Sequence, residues 1–259
     1  MDLGLKGKKA IICASSEGLG RASAFALAQA GCDVIINGRT QVNVEGTAKE
    51  IADATGVTAT PVVADVSTAE GQAALLAACP SPDILINNNG GPPKRDFSEL
   101  NRENMIEGVI QNLITPVELI QKVAEGMMSR EFGRIVNITS MSVLMPIEGL
   151  DLSSGARAGL TALLAGVRPL YAGQNVTINN LLPGKFNTKR LMGGIEAAAQ
   201  TTGRPLQDIV DSQTQQIPAG RFGSPEEFGN TCAFLCSQHA GYITGQNILM
   251  DGGLFPHSF

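Results

Sequence analysis

A chain of 259 residues in which 43% are hydrophobic and 17% charged holds enough apolar material for a large core, and it lies outside the composition of disordered segments. A net charge of -5 with no Lys/Arg cluster leaves no basic face for a nucleic acid. No apolar run reaches the roughly 20 residues that a membrane span requires.

The N-terminal stretch Met1 to Lys9 lacks an apolar signal core, so a cytoplasmic protein is expected. Cys13, Cys32, Cys79, Cys232 and Cys236 read as small buried hydrophobes of a reducing compartment. Cys232 and Cys236 share a helix face, but with only His239 nearby no metal site is expected.

Lys9-Ala10-Ile11-Ile12 is a short apolar run, followed by Ala14-Ser15-Ser16-Glu17-Gly18-Leu19-Gly20 and an alanine-rich helical pattern to Ala28. This describes a buried strand turning sharply into a helix. The free N–H groups at such a helix start, together with its dipole, favour a dinucleotide pyrophosphate, so Ser15, Ser16, Gly18, Leu19 and Gly20 are expected at a cofactor. Gly18 admits the phosphates to the backbone and Gly20 lets the helix pack closely on the strand.

Further strands are predicted at 33–37, 57–64, 83–87, 134–138, 176–181 and 246–250, with helices at 41–54, 68–79, 98–130, 152–171 and 225–237. Seven short strands alternating with helices require crossover connections, hence a doubly wound parallel sheet with helices on both faces. With no Pro/Gly/Ser-rich linker, residues 1–259 read as one domain. Ligands of such sheets bind beyond the carboxyl ends of the strands.

Several marks fall at those ends. Gly38-Arg39 follows strand two where an acid would hold the ribose hydroxyls of NAD, and glycine with a planar cation instead favours the 2′-phosphate of NADP. Asp65-Val66 ends strand three, where the carboxylate can accept from the adenine amino group. Asn87-Asn88-Asn89-Gly90 ends strand four, where the asparagines serve either the backbone of the sheet or the cofactor directly.

The run Lys8-Lys9-Ala10-Ile11-Ile12, the glycine turn and Asn87-Asn88-Asn89-Gly90 are followed by Gly133-Arg134-Ile135-Val136-Asn137 and Pro183-Gly184-Lys185-Phe186-Asn187-Thr188. The series closes with Tyr242-Ile243-Thr244-Gly245 and Asp251-Gly252-Gly253, and in this order and spacing it resembles the short-chain dehydrogenase/reductase family along the whole chain. The resemblance implies a Rossmann-type fold, a nicotinamide dinucleotide and a homo-oligomer, tetramer or dimer. It places Gly18 and Gly20 at the last two glycines of the family turn, with Ala14 where its first glycine stands. It adds Asn88, Gly90, Pro183 and Gly184 to the cofactor site, Thr188 at the nicotinamide carboxamide, and Ser140 and Asn112 as two of the four catalytic positions.

The other two positions depart from the family. Its Tyr and Lys are Ser153 and Arg157 here, in a register set by Ala158-Gly159-Leu160. Only Tyr171 and Tyr242 occur in the chain, and neither lies between Ser140 and Leu160. Arg157 can keep a positive charge at the ribose, whereas a serine hydroxyl is shorter than a phenol and far less acidic. Three readings are open at this point: a redox enzyme with another proton source (Glu148, Asp151, Lys185 or water), a redox-silent dinucleotide-binding protein, and a member doing non-redox chemistry. Asp151 also fits as a helix N-cap.

The substrate region spans Lys94-Arg95, Ser142 to Leu150, and a covering segment at about 186–218. Met141, Leu144, Met145, Ile147, Leu150, Leu191 and Met192 give it a mainly apolar character, so a small-molecule substrate with hydrophobic bulk is expected.

Overall fold

A computed structural model describes residues 1–257. Seven strands, β1 (Lys9–Ile12), β2 (Asp33–Gly38), β3 (Ala59–Val63), β4 (Ile84–Asn87), β5 (Gly133–Ile138), β6 (Val176–Pro183) and β7 (Asn247–Met250), form one parallel sheet in the order β3-β2-β1-β4-β5-β6-β7. The helices are α1 (Gly18–Gln29), α2 (Gln41–Thr55), α3 (Ala69–Ala78), α4 (Arg102–Val109), α5 (Thr115–Ser129), α6 (Asp151–Val167), α7 (Pro169–Ala172), α8 (Lys189–Thr202), α9 (Leu206–Gln215) and α10 (Pro225–Cys236). Strand order reverses between β1 and β4, which opens a crevice at their carboxyl ends.

Alternation along each strand builds a core on each face. Ala10, Ile12, Val34, Ile36, Ile84, Ile86 and Val136 join α1, α2 and α10 through Leu27, Ile51 and Phe228. Ile11, Ile35, Leu85 and Ile135 join α3, α5 and α6 through Leu75, Val123 and Leu160. All five cysteines are buried and free, and among the described residues no helix is long and apolar enough to cross a membrane.

A polar ladder runs through this core. Asn87, Asn137, Asn180 and Asn247 stand opposite one another on β4 to β7. Their amides are chained: Asn87 Nδ2 donates to Asn137 Oδ1 (2.9 Å), Asn137 Nδ2 to Asn180 Oδ1 (2.9 Å), and Asn180 Nδ2 to Asn247 Oδ1 (2.7 Å). Each amide is bonded to its neighbour at the same register, with Asn87 Oδ1 left unpartnered at the β4 end among the described residues, and β4 to β7 are held in one alignment.

The expected helix 98–130 is interrupted. Asn101 and Asn104 form a reciprocal capping box that starts α4, and a wide π-turn at Ile110–Ile114 separates α4 from α5. Pro116 explains the widening, since it has no N–H for the carbonyl of Asn112, four residues earlier. Pro169 likewise ends α6 at Val167 and detaches α7 from the expected helix 152–171. The segment 186–218 contains α8 and α9.

Candidate active site

The β1–α1 turn is built around Ala14, whose φ of +43° is left-handed. Its N–H donates to Asn37 Oδ1 (3.0 Å) and its carbonyl accepts from Asn88 Nδ2 (3.1 Å). A methyl group is therefore tolerated where the family has glycine, held from β2 on one side and from the end of β4 on the other. Ser15 is fully buried, and its hydroxyl donates to the Ile12 carbonyl (2.7 Å) while accepting from Asn37 N–H (2.9 Å). Its side chain thus belongs to the turn.

A Cβ on Gly20 would lie 2.4 Å from the Ala14 carbonyl oxygen, so only glycine lets α1 approach this closely. Gly18 has φ +60°, with nothing within 4 Å of a Cβ placed there. Glu17 precedes α1 without capping it through its side chain, which leaves the first N–H groups unpaired. An open left-handed glycine before an uncapped helix start fits a pyrophosphate.

Arg39 stands beyond β2 with its side chain mostly exposed, and its Nη1 is 4.0 Å from Asp65 Oδ2. Asp65 Oδ1 accepts from the Ser67 hydroxyl (2.6 Å) and N–H (2.9 Å), and these bonds, with Arg39 nearby, hold its carboxyl below the usual range. Arg39, Asp65, Ser67, Glu103 and Glu107 line an open cleft of about 540 Å³. Val66, next to Asp65, is buried in the core face.

At the crevice, Arg157 of α6 is buried and bridges two elements. Its Nε donates to Ser153 Oγ one turn earlier (3.0 Å), and its Nη1 donates to the Ile138 carbonyl at the end of β5 (2.7 Å). Burial, and then Arg190, push its guanidinium down to about 10, so it stays charged at neutral pH. Ser153 is buried, and Ser140, half-buried just past β5, accepts from Ser142 N–H (3.1 Å). Both hydroxyls are thus occupied as acceptors and keep a hydrogen to donate. Asn112 sits in the π-turn with Nδ2 on the Gly108 carbonyl (3.3 Å), while its Oδ1 has no partner and lines a small cavity with Asn87, Gln111, Thr115 and Arg157.

Pro183 ends β6, and Gly184 packs against Asp251, 2.7 Å from a Cβ built there. Thr188 Oγ1 caps α8 by accepting from Leu191 N–H (3.3 Å). Ser16 Oγ would be 2.7 Å from a Cβ on Gly38, so Ser16, Gly38 and Arg39 adjoin, while Asn88 and Gly90 lie half-buried and exposed at the end of β4. The sequence reading did not single out Gly91 or Arg190. A Cβ on Gly91 would lie 3.5 Å from Ser153 Oγ, 3.5 Å from Arg190 Nη2 and 3.7 Å from Arg157 Nη2. The doubled glycine was the available signal for Gly91, but nothing in the sequence carries α8 across to it.

The other proton sources are less well placed. Glu148 and Asp151 are exposed. Asp151 is not the expected N-cap: α6 begins at Asp151 itself, Leu150 precedes it, and no side chain caps the helix start. Lys185 is half-buried, and burial followed by Lys94 lowers its ammonium. Tyr171 packs on the core and Tyr242 is fully exposed, so neither restores the missing phenol.

Residues 13–255 match the protein family described as enoyl-(acyl carrier protein) reductase. The 3-oxoacyl-(acyl-carrier-protein) reductase FabG of Aquifex aeolicus (strain VF5) is 33% identical over 259 residues, covering 98% of this chain and 100% of that protein. The NADPH-dependent reductase BacG of Bacillus subtilis (strain 168) is 30% identical over 251 residues, covering 95% and 97%. The crystal structure of L-sorbose reductase from Gluconobacter frateurii, complexed with NADPH and L-sorbose, has a TM-score of 0.94 and 27% identity, with 99% of this chain and 100% of that chain covered.

Proposed function

Because the chain belongs to the short-chain dehydrogenase/reductase family, we propose that it is an NADPH-dependent oxidoreductase interconverting a carbonyl and an alcohol on a small molecule of mainly apolar bulk. Ser140, Ser153, Arg157 and Asn112 form its altered catalytic centre. The observation that carries this reading is the bridge from Arg157 to Ser153 and Ile138, which fixes a buried cation against the Ser153 hydroxyl and the end of β5, just before Ser140.

Ser16, Gly18, Leu19 and Gly20 would hold the pyrophosphate, and Arg39 the 2′-phosphate, which favours NADP over NAD. Asp65, Val66, Asn88 and Gly90 border the adenosine side, and Pro183, Gly184 and Thr188 the nicotinamide side. Ser15 supports the turn from within. When bound there, NADPH would supply a hydride. The Ser140 and Ser153 hydroxyls and Arg157 Nη2 then stabilise the negative oxygen that forms, in place of an ionisable phenol, and that oxygen takes its proton from water. Such a centre works by preorganised charge and positioning.

A cytoplasmic homo-oligomer is part of the same proposal. Ile106, Val109, Ile114 and Leu163 leave apolar surface exposed on α4, the π-turn and α6, which suits a second copy of the chain.

Titration with NADPH and NADH, followed by nicotinamide fluorescence, tests the cofactor half. Consumption of NADPH with apolar ketones and aldehydes tests the chemistry. Tight NADPH binding with carbonyl-dependent oxidation is expected, whereas tight binding without turnover on any carbonyl would leave a redox-silent binding protein.

A further inference from the structure

Three donors converge beside Gly91. Its missing side chain leaves a point about equally far from Ser153 Oγ, Arg157 Nη2 and Arg190 Nη2, at 3.5, 3.7 and 3.5 Å from the position of a Cβ. Arg157 Nε and Nη1 are bound to Ser153 and Ile138, while Nη2 has no protein partner in the described residues. Lys185 and Lys94, on the segments that follow β6 and β4, are a second pair of mutually repelling cations. Among the described residues, none of Lys94, Arg157, Lys185 and Arg190 forms an ion pair; the pairs present use Lys8, Arg21, Arg39, Lys49, Arg130, Lys189 and Arg221. Cations gathered without acids repel one another, and an anion placed between them reverses the sign of that interaction.

Two anions could answer this charge, the cofactor phosphates or the substrate. Successive residues of α8 separate them: Lys189 Nζ reaches Glu17 at the phosphate turn (3.0 Å), whereas Arg190 reaches Gly91, next to the proposed catalytic Ser153. We propose that Arg190 and Arg157 beside Gly91 form a carboxylate receptor next to Ser153, so that the substrate is an oxo acid whose carboxylate adjoins the reacting carbonyl. A planar carboxylate suits this pair: Arg190 can offer it paired N–H donors, and Arg157 the free Nη2 edge. The apolar remainder of the substrate would lie toward Leu191 and Met192, which follow Arg190 on α8. In the step, the carbonyl carbon gains the hydride supplied by NADPH, the C=O π pair moves to oxygen, and that oxygen takes a proton from water. NADPH is oxidised to NADP+ and the oxo acid is reduced to a hydroxy acid.

This inference rests on the reading that Ser153 and Arg157 face the reacting carbonyl, and the test separates the two. A branched 2-oxo acid and its methyl ester are compared as substrates, and oxamate, a non-reducible carboxylate, is titrated into the NADPH-loaded protein by nicotinamide fluorescence. The acid is expected to exceed its ester about 100-fold in kcat/KM, a ratio within the range of strong charged hydrogen bonds. Arg190→Gln should cut that ratio and the oxamate affinity about tenfold or more, with the NADPH Kd moving less than about twofold. Equal use of acid and ester, or an Arg190→Gln variant that weakens NADPH as much as oxamate, would overturn the proposal. Inorganic phosphate competing as well as oxamate would also overturn the oxo-acid assignment. If neither compound is turned over, the redox reading fails alone, and the oxamate titration still decides the receptor.

Discussion

Arg157 and Ser153, one turn apart on α6, are joined by an Nε–H···Oγ bond of 3.0 Å in a buried setting. The bond sets the direction of both groups: it occupies the acceptor side of the serine, and with the Ile138 carbonyl it leaves Nη2 as the free edge of the guanidinium. The spacing of the family's Tyr and Lys is kept, and under the proposed function a fixed field of donors takes the place of proton transfer.

Lysine at this position would keep the charge and lose the fork. Arg157→Lys should lower kcat/KM for carbonyl reduction about 10- to 100-fold, and Arg157→Ala should lower it further and weaken NADPH binding. Activity that needs the cation should fall as pH rises through about 10, where burial and Arg190 place the guanidinium. Between about 10 and the higher value of a free guanidinium, the folded chain binds fewer protons at this group than the unfolded chain, so its contribution to stability rises with pH while activity falls. Opposite trends in kcat/KM and thermal midpoint over that window would identify the group; parallel loss would point to unfolding.

The fold was legible because its signals are local. Strands such as Ile84–Asn87 and the glycines at 18 and 20 each announce themselves within a few residues. Interruptions set by single prolines were missed, since Pro116 and Pro169 sit inside otherwise continuous helical patterns. Within the candidate site, the family spacing singled out Ser140, Ser153 and Arg157, and the structure brings Ser153 and Arg157 together. The site was not legible at Arg190, because no periodicity shows which of the cations of α8 crosses the crevice to Gly91.

The strained alanine of the phosphate turn offers a direct check. Ala14→Gly relieves a left-handed φ of +43° and should stabilise the protein by about 0.5–1 kcal/mol, with NADPH bound at least as tightly. Gly20→Ala, whose methyl would stand 2.4 Å from the Ala14 carbonyl oxygen, should cost about 2 kcal/mol or more and abolish NADPH binding. Thermal unfolding with and without NADPH measures both. Destabilisation by Ala14→Gly would mean that the Asn37 and Asn88 bonds select the alanine geometry.

Arg39 is the cation left at the end of β2 where an acid would select NAD. Arg39→Ala should weaken NADPH about 10- to 100-fold and leave NADH within about threefold, because only the 2′-phosphate loses a charged partner. Loss of both cofactors to the same degree would show that Arg39 acts on the adenosine cleft as a whole, through Asp65.

Asn137 is the central rung of the asparagine ladder and is 1% exposed. It accepts from Asn87 and donates to Asn180 and, at 3.5 Å, to the Asn179 carbonyl, so truncation removes three bonds and takes a partner from the buried amides on both sides. Asn137→Ala should therefore cost about 2–4 kcal/mol in urea unfolding, more than one lost hydrogen bond, because each orphaned group keeps its desolvation penalty. Adding Asn180→Ala removes one of those orphans, so the double variant should cost less than the sum of the two single ones. Strict additivity would mean that the rungs act separately and that backbone pairing alone aligns β5 with β6.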